Sequence, residues 1–80
     1  MTAFEKLREI IMELKKGKFS AADMDPGTML VEDLKLDSLD LAELLVLMEN
    51  EFSLEIDPDD LQECNTLGAV AGYLDRRLAG

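Results

Sequence analysis

Asp37-Ser38-Leu39-Asp40-Leu41-Ala42-Glu43-Leu44-Leu45-Val46-Leu47-Met48-Glu49-Asn50-Glu51-Phe52 is the stretch on which the fold turns. Advancing about 100° per residue from Ser38 gathers Leu41, Leu44, Leu45, Met48 and Phe52 into one arc, the stripe by which an amphipathic helix meets a core. Asp37 is a favoured N-cap, and Asp40 stands three positions later in a box-like relation to it, so the helix runs from Asp37 to about Phe52. Its opposite face carries Leu39, Val46 and Leu47 interleaved with Asp40, Glu43 and Asn50. A small bundle can bury such apolar groups on a second side. The other reading is a docking surface, where carboxylates steer a basic partner and apolar residues supply contact area.

Upstream, Phe4, Leu7, Ile10, Ile11 and Leu14 recur at helical spacing with charged residues between them, predicting a first helix over about Thr2 to Lys16. Gly17 is its natural stop. From Lys18 to Asp37 no period is sustained, and Asp25-Pro26-Gly27-Thr28 signals a turn. Phe19, Met24, Met29, Leu30, Leu34 and Leu36 are nevertheless apolar enough to pin this segment to a core, so a long ordered loop is expected between helices one and two.

Downstream, Asp57-Pro58 pairs a cap with a proline at the first helical position and opens a short helix through about Glu63. Thr66 caps a fourth helix, in which Leu67, Val70, Ala71, Leu74 and Leu78 form the expected buried stripe. Gly68 and Gly72 each lower its helicity by roughly 1 kcal/mol relative to alanine, so it must lean on tertiary packing. No alternating strand pattern or internal repeat appears. The expectation is all-α: a small four-helix bundle, three main helices plus one short helix, forming one domain over residues 1–80.

The 80 residues carry a formal net charge of −10, which argues against nucleic-acid or anionic-membrane partners and for partners with basic patches. Between residues 19 and 75 the only basic side chain is Lys35. There is no histidine, so the commonest general base and metal ligand is missing, and the lone Cys64 has no Cys-His partner. A self-contained enzyme or zinc protein is not expected. Cys64 also cannot form an internal disulfide, and no basic-then-apolar leader begins at Met1, which together point to a reducing cytoplasm. The longest apolar run, Leu44 to Met48, is too short to insert across a bilayer. Asp57, Asp59 and Asp60 cluster without the glycine and terminal glutamate of an EF-hand loop, so capping and solvation are expected there rather than a metal. Cys64 has nothing basic close in sequence to activate it. Tyr73 and the methionines are expected in the core.

Ser38 stands at the expected N-terminus of the second helix, where backbone N–H groups and the helix dipole favour an anion. A first-turn or capping role is the commoner use of an isolated serine there; the other is attachment of a phosphate-linked arm. The run Glu32-Asp33-Leu34-Lys35-Leu36-Asp37-Ser38-Leu39-Asp40, followed by Glu43-Leu44, Glu51-Phe52 and Glu55-Ile56, resembles the acyl carrier proteins, and the helix order matches over nearly the whole chain. The resemblance implies that Ser38 carries a 4′-phosphopantetheine arm donated by coenzyme A, whose thiol holds acyl groups as thioesters for fatty-acid, lipid or polyketide-type biosynthesis. It implies as partners a phosphopantetheinyl transferase, an acyl-loading enzyme, and acyl-using synthases or transferases, served by a monomer. The family's docking positions fall on Asp37, Leu39, Asp40, Ala42, Glu43, Val46, Glu49 and Glu51, of which Glu49 projects onto a flank.

Two other carriers stay open: an aminoacyl carrier of the D-alanyl type, in view of Glu63-Cys64-Asn65-Thr66, and a peptidyl carrier, although the latter commonly approaches its serine with glycine and histidine. A cofactor-free acidic interaction module is the rival of a different class. The chain also departs from the family twice. Lys35 and Ser53 stand where the family usually has glycine, and the backbone at Lys35 is therefore expected not to need a glycine-only conformation.

Overall fold

The computed structural model describes residues 2–79 and forms four helices, α1 (Ala3–Leu14), α2 (Ser38–Phe52), α3 (Pro58–Glu63) and α4 (Leu67–Ala79), with a single 3-10 turn at Ala21–Asp23. Met1 and Gly80, the ends of the expected domain, lie outside the described residues. No helix of the described chain is long and apolar enough to cross a membrane.

α1 begins on a reciprocal cap. Thr2 Oγ1 accepts the Glu5 N–H at 3.2 Å, and Glu5 Oε1 accepts the Thr2 N–H at 3.1 Å, which holds the Glu5 carboxyl below its ordinary range. The helix closes at Lys15, a residue earlier than Lys16, and Gly17 then turns the chain at φ +79°. α1 packs on both α4 and α2, while the short α3 packs on α2. Leu7 and Ile11 from α1, Leu44 and Met48 from α2, and Leu67, Val70 and Leu74 from α4 are fully buried together. Each such side chain contributes roughly 1.5–3 kcal/mol of burial. Leu41, Leu45 and Phe52 pack at the edge of this cluster, as the projection of α2 requires.

Three expected core residues depart from full burial: Met29 is half-buried outside the core cluster, Leu78 is exposed, and Tyr73 packs at the core's edge. Leu78 is 49% exposed, because the buried stripe of α4 ends at Leu74 while the helix runs on for another turn. Tyr73 is half-buried at the rim: its hydroxyl donates to Asp60 Oδ2 at 2.9 Å and accepts from Arg77 Nη1 at 2.6 Å. Arg77 Nη2 also donates to the Glu55 carbonyl at 2.7 Å, so this polar group ties α3 and the segment before it to α4. Burial, and then the bond to Asp60, push the Tyr73 phenol up.

The segment between α1 and α2 is an ordered loop held by buried Met24, Leu30, Leu34 and Leu36, with Phe19 packed beside them. Its turn is an aspartate turn. Asp25 Oδ1 accepts the Gly27 N–H at 2.8 Å, and Thr28, itself buried, returns its N–H to the Asp25 carbonyl at 3.0 Å. Beyond the turn the loop lies along the start of α4. Leu30 N–H donates to Asn65 O and Leu67 N–H to Thr28 O, both at 3.0 Å, and Gly68 N–H reaches Pro26 O at 2.9 Å. Gly68 is glycine for a contact reason, since a Cβ there would sit 2.8 Å from Pro26 O. This is the tertiary support that α4 needs.

Candidate functional site

The site is the N-terminus of α2 and the face that follows it. Asp37, in an extended conformation, ends the loop and caps the helix: its Oδ1 accepts the Asp40 N–H at 2.8 Å, and Asp40 Oδ2 accepts the Asp37 N–H at 3.1 Å. Lys15, from the end of α1, brings its ammonium to 2.8 Å from that same Asp40 oxygen. The lysine, and then the Asp37 N–H, hold the Asp40 carboxyl below its usual range, and Asp40 in turn raises Lys15.

Because Asp37 is the cap, Ser38 is not needed as one. Ser38 is exposed, and among the described residues its hydroxyl has no hydrogen-bond partner. The N–H groups of Ser38 and Leu39 likewise have no acceptor within the described chain, while those of Asp40 and Leu41 are bonded to Asp37. An accessible hydroxyl beside two free N–H donors at the positive end of a 15-residue helix suits a phosphate ester, whose oxygens those donors can face. Beside Ser38 a groove of about 210 Å³ runs between α2 and α3, lined mainly by Leu41, Leu45, Pro58 and Leu61.

The approach to the serine corrects one expectation. Lys35 has φ +57°, the left-handed conformation that glycine adopts freely, although glycine is absent there. Such a backbone costs an L-residue roughly 1–2 kcal/mol. It is held by the Lys35 N–H to the Val31 carbonyl at 3.1 Å and by Leu34 and Leu36, both buried, on either side. Ser53, the other departure, is also left-handed at φ 55°, ψ 46°. It closes α2 with its N–H on the Glu49 carbonyl.

The eight expected docking residues divide. Asp37, Ala42 and Glu43 are exposed, and Leu39 and Val46 are 68% and 53% exposed, so these five line an outward face with no cover in the structure. The other three also hold partners within the fold, Glu51 from an exposed position, just as Asp37 does in capping α2. Asp40 belongs to the cap and to Lys15. Glu49 Oε2 accepts the Ile56 N–H at 2.9 Å and ties down the chain after α2. Glu51 lies 2.6 Å from Lys6 Nζ and raises that lysine. Leu47 is half-buried toward α1, at the edge of a groove shared with Ile10 and Asn50. Lys6 and Lys15 lie far from Glu51 and Asp40 along the chain, so no local sequence pattern links either pair.

The minor candidates have structural occupations. Asp57 Oδ1 caps α3 through the Asp59 N–H at 2.9 Å, and Asp60 is taken by Tyr73. Cys64 Sγ lies 3.4 Å from the Asp60 carbonyl, and burial pushes the thiol up, away from reactivity.

Residues 5–74 match the phosphopantetheine attachment site family. Over 77 residues the chain is 48% identical to the acyl carrier protein of Nitratidesulfovibrio vulgaris (strain DP4), a match covering 96% of this chain and 99% of that one. It is 35% identical to the acyl carrier protein of Solidesulfovibrio magneticus (strain ATCC 700980 / DSM 13731 / RS-1), with 96% of each chain covered. Among solved structures, the acyl carrier protein from Enterococcus faecalis superposes with a TM-score of 0.71 at 27% identity, over 92% of this chain and 95% of that one.

Proposed function

The chain belongs to the acyl carrier protein family, and from that premise we propose that Ser38 is the residue that bears its prosthetic arm. The group is 4′-phosphopantetheine, whose thiol carries acyl groups as thioesters. This sets the protein apart from a cofactor-free acidic module. One observation carries the assignment: the cap of α2 is made by Asp37, which leaves the Ser38 hydroxyl exposed and unbonded. A serine retained for capping would spend its oxygen on a backbone N–H.

Loading requires Ser38 Oγ to attack the pantetheine-bearing phosphorus of coenzyme A. The Oγ–P bond forms as the pyrophosphate P–O bond breaks, adenosine 3′,5′-bisphosphate leaves, and the serine proton passes to a base. In this reading the base belongs to the transferase, this chain having no histidine, the commonest general base. What the chain supplies is presentation: a hydroxyl on a rigid helix end, free N–H donors for the ester, and an outward face of Asp37, Leu39, Ala42, Glu43 and Val46 for the basic patches of the transferase and of the acyl-loading and acyl-using enzymes. Asp40, Glu49 and Glu51 serve that face indirectly, by fixing α2 to α1 and to the chain behind it. In this reading residues 1–80 act as one monomeric, non-catalytic carrier domain in the cytoplasm, and catalysis resides in the partners.

Incubation with coenzyme A and a broad-specificity phosphopantetheinyl transferase, followed by intact mass spectrometry, tests the assignment. One arm is expected on the wild type and none on Ser38→Ala; a gain that survives the alanine change overturns it. In the same assay Glu43→Lys and Val46→Asp should slow loading several-fold while circular dichroism stays unchanged. Unaltered rates would remove those residues from the docking face.

A further inference from the structure

Lys35 is the only basic side chain between residues 19 and 75, and it precedes Ser38 by three residues. Its ammonium makes no ion pair among the described residues, whereas Lys6, Lys15 and Lys16 each pair with a carboxylate. Of the nearby carboxylates, Asp33 Oδ2 accepts the Met29 N–H at 2.8 Å and Asp37 Oδ1 accepts the Asp40 N–H at 2.8 Å, and neither forms an ion pair with Lys35. The residue is exposed and its backbone is left-handed at φ +57°, a conformation glycine would hold with less strain. A strained lysine whose side chain supports nothing in the fold calls for an interaction outside it.

The place to look is Ser38. Three trans peptide steps span at most about 11 Å. Both ends of that short path are fixed, one by buried Leu34 and Leu36 and the other by the Asp37 cap. The lysine head sits on a flexible four-carbon stem and acts on phosphate as a compact point charge. Once loaded, Ser38 carries a permanent phosphodiester anion beside Asp37 and Asp40, and the one cation of the region that the fold leaves unpaired stands within a few residues of it.

We propose that Lys35 is a positioning residue for the arm, its ammonium pairing with the phosphodiester on Ser38 and, with the free N–H groups of Ser38 and Leu39, restricting the direction in which the arm leaves the helix. The proposal rests on Ser38 as the attachment residue. It predicts that loading changes the surroundings of Lys35 but not those of Lys16 or Lys18, and that the phosphorus senses the charge at position 35.

The test compares apo and loaded forms of the wild type, Lys35→Met, Lys35→Arg and Lys35→Gly at low ionic strength, each loaded form first checked by intact mass. In the wild type, acylation of Lys35 by an amine-reactive reagent, mapped by peptide mass spectrometry, should be several-fold slower in the loaded protein than in the apo protein, with Lys16 and Lys18 unchanged. The 31P resonance should move in Lys35→Met and Lys35→Gly, stay near its wild-type position in Lys35→Arg, and shift in the wild type toward the Lys35→Met position as salt is added. Lys35→Gly suits the left-handed backbone, so it separates loss of charge from damage to the fold. Equal labelling of Lys35 in both forms, or a 31P resonance indifferent to the charge at position 35, overturns the proposal while leaving Ser38 loaded. Absence of any arm on the wild type overturns the attachment reading, and this proposal with it.

Discussion

α2 and α4 both begin with a polar cap followed by an amphipathic run, yet their N-termini have opposite fates. At α4 all four leading N–H groups are occupied: Leu67 by Thr28 O, Gly68 by Pro26 O, Ala69 by Thr66 Oγ1 and Val70 by Thr66 O. At α2 the Asp37 side chain and carbonyl take Asp40 and Leu41, while Ser38 and Leu39 keep theirs free. The difference is the loop between α1 and α2, which is laid over the start of α4 and ends at the start of α2. Free N–H groups in water cost little, because solvent satisfies them, whereas the same groups buried without partners would cost about 1–3 kcal/mol each. A covered helix end is therefore a joint. An open one keeps part of its dipole for an incoming anion.

The joint at α4 should break most visibly at Gly68. In Gly68→Ala the new methyl would lie 2.8 Å from Pro26 O and 3.1 Å from Pro26 Cβ, backbone and ring atoms that cannot swing aside. We expect a loss of about 1–3 kcal/mol, as for other overpacked sites, read as a fall in melting temperature of about 4–8 °C per kcal/mol for a domain this small. Gly72 is the control. Its nearest neighbour would be the mobile Arg76 guanidinium at 3.6 Å, so Gly72→Ala should raise stability by up to roughly 1 kcal/mol through helix propensity. If the two glycines respond alike, the loop is not seated on α4 as tightly as the hydrogen bonds imply.

The two ends also differ in how far the sequence discloses them. The caps at Asp37, Asp57 and Thr66 and the stripe of α2 are local patterns, fixed by neighbours within one or two turns, and they stand where the spacing puts them. Ser38, too, could be singled out from sequence. The fit of Gly68 against Pro26 could not, because it depends on a loop from elsewhere in the chain; only the need for tertiary support was evident. Nor could the pairing of Lys15 with Asp40 or Lys6 with Glu51, which gives two of the expected docking carboxylates a bracing contact between α1 and α2 as well. The left-handed turn at Lys35 defeats a propensity argument outright: the flanking buried leucines impose a conformation that the side chain disfavours. Leu78 fails for the opposite reason, since its period is right and no part of the fold reaches it.

Acid should distinguish the caps. Asp40 is held below its ordinary range by Lys15 and the Asp37 N–H, so its contribution is complete above the unfolded-chain value of about 3.9 and is lost as pH falls through the lower folded value. The melting temperatures of wild type and Asp40→Asn should accordingly differ at pH 7, keep that difference while the pH stays above the unfolded-chain value, and converge only once it has fallen through the lower folded value. The Thr66 hydroxyl does not titrate, so the gap between wild type and Thr66→Ala should persist across the same range. A pH-independent gap at Asp40 would mean that Lys15 contributes nothing to the α2 cap.

The smallest effect is the most discriminating. Ser38 and Thr66 each place one hydroxyl at a helix start, and only the second is bonded, accepting the Ala69 N–H at 3.1 Å. Thr66→Ala should cost about 1 kcal/mol, the usual loss for a removed cap oxygen. Ser38→Ala removes an oxygen that holds nothing in the fold and substitutes a better helix former, so stability should stay within about 0.5 kcal/mol of wild type, if anything rising. Chemical unfolding of the two apo variants side by side decides the point, with apo protein used so that the arm does not enter the comparison. If Ser38→Ala loses as much as Thr66→Ala, the serine is a structural oxygen and the open end of α2 is not open. If it loses nothing while abolishing loading, the hydroxyl is held in reserve for chemistry.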